Sequence, residues 1–314
     1  MKKIILIILS AALVMSMCLS LVSCGSTEEK EYAKAISLLE NGEYEQAKAL
    51  FEKLGDYADS KDYLKNFYYM PTAFKYNLTD KVGSFDIEYN KNNLPSKEST
   101  ARDEMYSVCE FVYNENGDII KQIANKNGII YTYDYTYNPD GTRNSAIYTA
   151  PDGIGATHRF TYDENGRLLR ETYEDASGVE LYSCEYTYDE KGNAIAQDVV
   201  EGELAYRLEI EFVYDANGKL TREVCDYGEG VQELLDYTYD ENGNMIKKVF
   251  TSYDGSQICY EYTYSADGNV IKEVLTDAQG TVQYVEIEYK LMYIPNGLTA
   301  PTELFFSEYW SSML

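Results

Sequence analysis

The side chains able to do chemistry in this chain come in series rather than singly. Tyrosine occurs 33 times against 10 Phe and 1 Trp. Most copies stand in aromatic-x-Tyr pairs: Phe111 and Tyr113, Tyr135 and Tyr137, Phe160 and Tyr162, Tyr186 and Tyr188, Phe212 and Tyr214, Tyr237 and Tyr239, Tyr262 and Tyr264, with Ile87 and Tyr89 a weaker first copy. Rows of rings can stack on a glycan or a peptide while hydroxyls and lysines hydrogen-bond to it. They can equally fill a core. A catalytic site is a unique constellation, whereas almost every polar residue here has counterparts one repeat away, which argues against an enzyme.

The remaining reactive residues fit that reading. The lone histidine, His158, occupies the slot taken elsewhere by Cys109, Tyr133, Cys184, Ile210, Leu235 and Tyr260, a substitution at a repeat position. HExxH, GxSxG, a phosphate-binding glycine loop and CxxC are all missing from the sequence. The Asp-x-Asn-Gly turns suggest calcium, but an EF-hand loop needs a ligand and a closing Glu where Thr161 and Thr172 stand around Gly166. Turn propensity explains those residues. No cofactor and no metal is expected. Cys109, Cys184, Cys225 and Cys259 are expected as small buried thiols, with pairing left open by their even number.

The elements that position these residues follow from their spacing. One turn position recurs as Asn93, Gly117, Gly141, Gly166, Gly192, Gly218, Gly243 and Gly268, every 24 to 26 residues. Before each turn lies a strand alternating aromatic and polar residues, as in Glu185-Tyr186-Thr187-Tyr188, and after it a second strand such as Met245 to Phe250. Asn138-Pro139-Asp140-Gly141 carries the signature of a type I turn with a G1 bulge. Pairing outward from Tyr239 with Met245 sets Tyr237 against Lys247, and so places Lys121, Arg170, Arg222, Lys247 and Lys272 on the aromatic face. The candidate ligand face is therefore Phe160, Tyr162, Tyr186, Tyr188, Phe212, Tyr214, Tyr237, Tyr239, Tyr262 and Tyr264 with Lys247 and Lys272.

Eight hairpins and a last strand, Val285 to Tyr289, make a long antiparallel meander of about seventeen strands. Laid flat it would run to roughly 80 Å, and open sheets rarely exceed about ten strands without curling. The expected fold is mainly β, an open shell or spiral with its aromatic face inward and no proline inside a strand. Residues 295–314, with Phe305, Phe306 and Trp310, abandon the pattern and are expected to cap the terminal edge.

Ahead of the repeats, apolar residues from Tyr32 to Tyr69 recur at the helix period, with Asn41-Gly42 ending a first helix and Ser60 capping a third. The run Gly42 to Ala47, with Phe51 four residues on, resembles the second helix of a tetratricopeptide repeat. A single unit of about 34 residues implies a docked helical hairpin and not a solenoid. Met1 to Cys24 reads as a secretion signal, with Lys2 and Lys3 ahead of an apolar run. Its end, Leu21-Val22-Ser23-Cys24, resembles the lipobox of bacterial lipoproteins, in which the cysteine receives a diacylglycerol. That resemblance implies a membrane anchor on Cys24 and a location in the cell envelope, outside the cytoplasm. The organisation expected is a signal peptide over 1–23, a lipidated tether over 24–31, a helical segment over 32–76, the repeats over 77–294 and a cap over 295–314.

The order aromatic-x-Tyr-Asp-x-x-Gly, repeated over residues 85 to 289, resembles the YD repeats of bacterial RHS proteins. In that family long arrays wind into a shell, and many carry a toxin after the array. The residues after the array are too few for an effector, so no toxin activity is carried over. With 53 acidic residues against 27 basic and a net charge of −26, nucleic acid and anionic headgroups are excluded as partners. The expectation is a lipid-anchored binding or scaffold module without catalysis, its partner a glycan or a protein of the envelope. The alternatives are a glycan-active enzyme using carboxylates on the aromatic face, and a subunit of an envelope assembly.

Overall fold

The computed structural model describes residues 26–78, 81–102, 105–153, 155–295 and 298. Cys24, the signal segment, and the cap residues Phe305, Phe306 and Trp310 lie outside the described residues. The chain divides into two compact units, one of Met1–Met70 with Lys290–Leu298, the other of Pro71–Tyr289 with Thr299–Leu314.

Among the described residues, the first unit holds three helices: α1 (Thr27–Glu40), α2 (Tyr44–Leu54) and α3 (Ser60–Leu64). The Ser26 side chain accepts the Glu29 backbone N–H and so caps α1, and Asn41 closes it. Ala35, Leu38, Ala47, Phe51 and Leu54 form its core. Phe51 stacks on Tyr63 with ring centroids 4.7 Å apart. Ser60 does not cap α3. It stands inside the helix, and its hydroxyl donates to the Tyr57 carbonyl.

The second unit is a β-barrel. Eighteen antiparallel strands run from β1 (Phe67–Leu78) and β2 (Lys81–Tyr89) through β3 (Pro95–Arg102), β4 (Met105–Tyr113), β5 (Ile119–Lys126), β6 (Ile129–Tyr137), β7 (Arg143–Thr149), β8 (Gly155–Tyr162) and β9 (Leu168–Asp175). They continue through β10 (Glu180–Tyr188), β11 (Ala194–Glu201), β12 (Leu204–Tyr214), β13 (Leu220–Asp226), β14 (Gln232–Tyr239), β15 (Met245–Thr251), β16 (Gln257–Tyr264), β17 (Val270–Thr276) and β18 (Val282–Tyr293). Each strand pairs with the next, and β18 pairs with β1. Across that seam the Thr72 hydroxyl donates to the Glu288 carbonyl at 3.3 Å, and Lys75 meets the Glu288 carboxylate at 2.5 Å.

The open shell or spiral of seventeen strands is thereby corrected to a closed ring of eighteen. The strand that periodicity omits is β1, which precedes the first repeat, lacks the turn signature and contains Pro71. Pro71 lies ahead of Ala73, the first residue paired with β2, so its missing N–H removes no bond from that ladder. An all-antiparallel ring closes only with an even number of strands. Seventeen would have left two bare edges, and the eighteenth removes both.

Candidate functional site

The geometry of the barrel wall turns on one residue per hairpin. In β14 and β15, Tyr239 pairs with Met245 and Thr238 with Lys247, so Ile246 is an extra residue between them. Gly243 at φ +94° supplies the left-handed position that such a bulged turn needs. The same one-residue shift recurs at Tyr89, Tyr113, Tyr137, Tyr162, Tyr188, Tyr214 and Tyr264. Because side chains alternate faces with period two, the shift reverses the face of everything that follows it on the second strand.

Lys121, Arg170, Arg222, Lys247 and Lys272 accordingly stand on the outer face, not on the aromatic one. Each meets a carboxylate of the following strand: Lys121 with Asp134 at 2.9 Å, Arg170 with Glu180 at 2.8 Å, Arg222 with Asp236 at 2.6 Å, Lys247 with Glu261 at 3.9 Å and Lys272 with Glu286 at 2.8 Å. Lys272 also lies 4.6 Å from the Tyr284 ring. Lys75, Lys97, Arg159 and Arg207 make further outward ion pairs. A membrane-spanning barrel shows an apolar band about 25 Å tall to lipid, and a basic side chain at the midplane costs about 2–4 kcal/mol. This wall has charge on strand after strand and is built to face water.

The ten aromatic candidates share the inner face, as their alternation requires. What stands opposite the first ring of each pair is a residue the sequence reading passed over. Ile87 faces Glu98, Phe111 faces Gln122, Tyr135 faces Ala146, Phe160 faces Glu171, Tyr186 faces Gln197, Phe212 faces Glu223, Tyr237 faces Lys248 and Tyr262 faces Glu273. Closure of the sheet joins these eight positions into a belt around the inner wall, with four carboxylates, one ammonium and two amides. Their spacing of 24 to 26 residues was available in the sequence. Reading it required counting the bulge residue.

Each belt carboxylate has its own surroundings. Glu171 takes the Tyr186 hydroxyl at 2.7 Å, the Tyr182 hydroxyl at 3.5 Å and His158 Nε2 at 3.0 Å. The His158 bond, with these hydroxyls, holds its carboxyl below the usual range against the opposing effect of burial. Glu223 accepts from the Tyr237 hydroxyl at 3.0 Å. Gln122 accepts from the Tyr135 hydroxyl at 2.7 Å. Burial raises the Glu273 carboxyl, and Lys248 partly offsets it. Lys248 Nζ sits 4.3 Å from the Tyr260 ring. Glu98 is only 4% exposed, its Oε1 has no hydrogen-bond partner, and burial pushes its carboxyl up to about 7.

In several of the pairs the second tyrosine has a structural duty. Its hydroxyl crosses to a backbone carbonyl at the start of the preceding hairpin's second strand: Tyr113 to Pro95 at 2.5 Å, Tyr137 to Ile119 at 2.7 Å, Tyr188 to Leu168 at 2.7 Å and Tyr264 to Met245 at 2.7 Å. Turn cations of the preceding hairpin cover others, with Lys219 4.1 Å from the Tyr239 ring and Lys191 5.2 Å from the Tyr214 ring. The first-row rings of Phe160, Tyr186, Phe212, Tyr237 and Tyr262 stay half-buried. Tyr173, also on the inner face, is 38% exposed. A ring of sixteen to eighteen strands is wider than its side chains can fill, and half-buried inner rings are what a solvated lumen produces.

The turn aspartates are spoken for. Asp163 Oδ1 accepts the Asn165 and Arg167 backbone N–H groups, and Asp240 Oδ1 those of Asn242 and Asn244. Among the described residues no group of three His, Cys, Asp or Glu side chains is placed to hold a metal. Cys109, Cys184, Cys225 and Cys259 are free thiols, the first two buried.

No family model matches the chain, and no curated protein matches it. Among solved structures, a porin-like protein from Bacteroides uniformis is similar, with 11% identity over 69% of this chain and 96% of that one and a TM-score of 0.40. A porin-like protein from Bacteroides vulgatus is similar over 55% of this chain and 100% of that one, at 12% identity and a TM-score of 0.31. The TcdB2–TccC3 structure without its hypervariable C-terminal region matches 62% of this chain but 13% of its own, at 14% identity and a TM-score of 0.28. Likenesses this remote identify no family.

Proposed function

We propose that this chain is a lipid-anchored envelope protein whose barrel is a non-catalytic binding module, taking a small organic or carbohydrate ligand inside its lumen. The observation that carries the reading is the division of the wall. Its outer face is laced with ion pairs, which keeps it in water, and its inner face presents half-buried rings beside a polar belt. Rings supply stacking area while carboxylates, amides and hydroxyls fix orientation, the usual make-up of a small-molecule site. The anchor rests on the lipobox of Cys24 and the apolar segment before it.

Titration of the full-length protein in detergent with soluble glycan fragments, followed by tyrosine fluorescence, tests the lumen. Saturable quenching that is lost in Phe212→Ala and Tyr237→Ala supports the reading. Binding untouched by inner-face substitutions but lost when outer-face charges are reversed overturns it.

A further inference from the structure

Of the belt's carboxylates, Glu98 is the one with a buried oxygen, Oε1, that has no hydrogen-bond partner among the described residues. Glu171 and Glu223 accept protein hydroxyls, and Glu273 has Lys248 across the wall. Glu98 is 96% withdrawn from water and its Oε1 is bare, a costly arrangement for an acid held inside a protein for packing alone. Register places it on the inner face, between Ile87 of β2 and Cys109 of β4. The rings of Tyr89 and Tyr113 lie within its electrostatic reach, since its charge raises the pKa of both hydroxyls. On the same inner face stand Tyr89 from β2 and Cys109 and Tyr113 from β4, while Lys126 of β5 acts on the Cys109 thiol. Burial raises the Glu98 carboxyl, and among the described residues its Oε1 has no hydrogen-bond partner.

We infer that the Glu98 corner of the lumen is a binding site for an organic ammonium group, its charge met by the Glu98 carboxylate and its alkyl substituents by the rings of Tyr89 and Tyr113. A buried carboxylate with two tyrosines on the same inner face is complementary to such a cation on both counts, since ring quadrupole and carboxylate attract the same charge. The group must be small and apolar-jacketed, because a strongly hydrated metal ion would find one carboxylate and no further oxygen cage. Entry displaces the two rings, each of which is held by one hydroxyl bond, Tyr89 to the Pro71 carbonyl and Tyr113 to the Pro95 carbonyl, both 2.5 Å. The inference rests on the lumen-binding reading and names the ligand class of one part of it.

The test compares choline, whose charge is fixed, with its neutral isostere 3,3-dimethylbutan-1-ol, by calorimetry on the full-length protein in detergent. Choline should bind saturably at pH 8 and about tenfold more weakly at pH 6, where most of the Glu98 carboxyl is protonated. The alcohol should not bind. Glu98→Gln should abolish choline binding while leaving the far-UV spectrum unchanged. Independently of any variant, binding at pH 7 should release protons, read as a dependence of the heat on buffer ionisation. Equal binding of the alcohol, no saturation by choline at pH 8, or binding without proton release overturns the inference. Glycan binding that persists in any of these cases leaves the lumen reading standing.

Discussion

Tyr237 stands opposite Lys248, and Lys247 faces the other way, to Glu261. The extra residue Ile246 decides which of two adjacent lysines enters the barrel. Deleting Ile246 removes the bulge residue itself and should leave Lys247 opposite Thr238 and Lys248 opposite Tyr237, with only the turn rebuilt. The expected cost is that of closing the Asp240–Gly243 turn without its bulge, on the order of 1 kcal/mol. Urea unfolding measures it. Replacing Ile246 by Val, which keeps the count, should change stability by less than about 1.5 kcal/mol.

Glu98 makes stability depend on pH in an unusual sense. Its folded carboxyl sits near 7 against an ordinary 4.5, so the folded state binds the proton more tightly than the unfolded chain. Its contribution is fully favourable below about 4.5 and is lost as pH rises through about 7. The shift corresponds to about 3 kcal/mol. Glu98→Gln should therefore raise the melting temperature at pH 8 and leave it nearly unchanged at pH 4.5. A variant that is stabilised and yet loses its ligand is the expected mark of a functional strain.

The hydroxyls of Tyr188 and Tyr264 tie one hairpin to the carbonyl of the one before. Tyr188→Phe and Tyr264→Phe should each cost about 1 kcal/mol through the loss of a half-buried hydrogen bond. Thermal unfolding reads this, and glycan binding should be unaltered in either variant. Tyr186→Phe instead removes a donor from Glu171, and its effect should extend to His158, whose ring proton exchange is the readout.

Burial pushes the Cys109 thiol up to about 12, and Cys184 is fully shielded. Both should resist a thiol reagent at pH 8 in the native protein and react once it is denatured. Cys225 and Cys259, half-buried, should react sooner.

An ion-paired outer wall and the lipid proposed on Cys24 make opposite demands on detergent partitioning, which separates them. The full-length protein should enter the detergent phase, and Cys24→Ala should return it to the aqueous phase. A barrel embedded by its wall would stay in detergent either way.

Much of this was legible from residue order alone. The aromatic-x-Tyr pairs and the turn glycines determined hairpins, their number and the single face shared by Phe160 through Tyr264, because strand periodicity and positive φ are local properties. Helices α1 and α2 announced themselves through the spacing of Ala35, Leu38, Ala47 and Phe51 in the same local way. Closure was not local. It depends on β1, a strand outside the repeat, meeting β18 more than two hundred residues later, and no periodic signal records that pairing. Nor could composition reveal the belt. Whether Lys247 or Lys248 lines the lumen, and whether Glu98 is left without a partner inside it, follows from a bulge that acts only when two strands are hydrogen-bonded, and from a ring that exists only once it is shut.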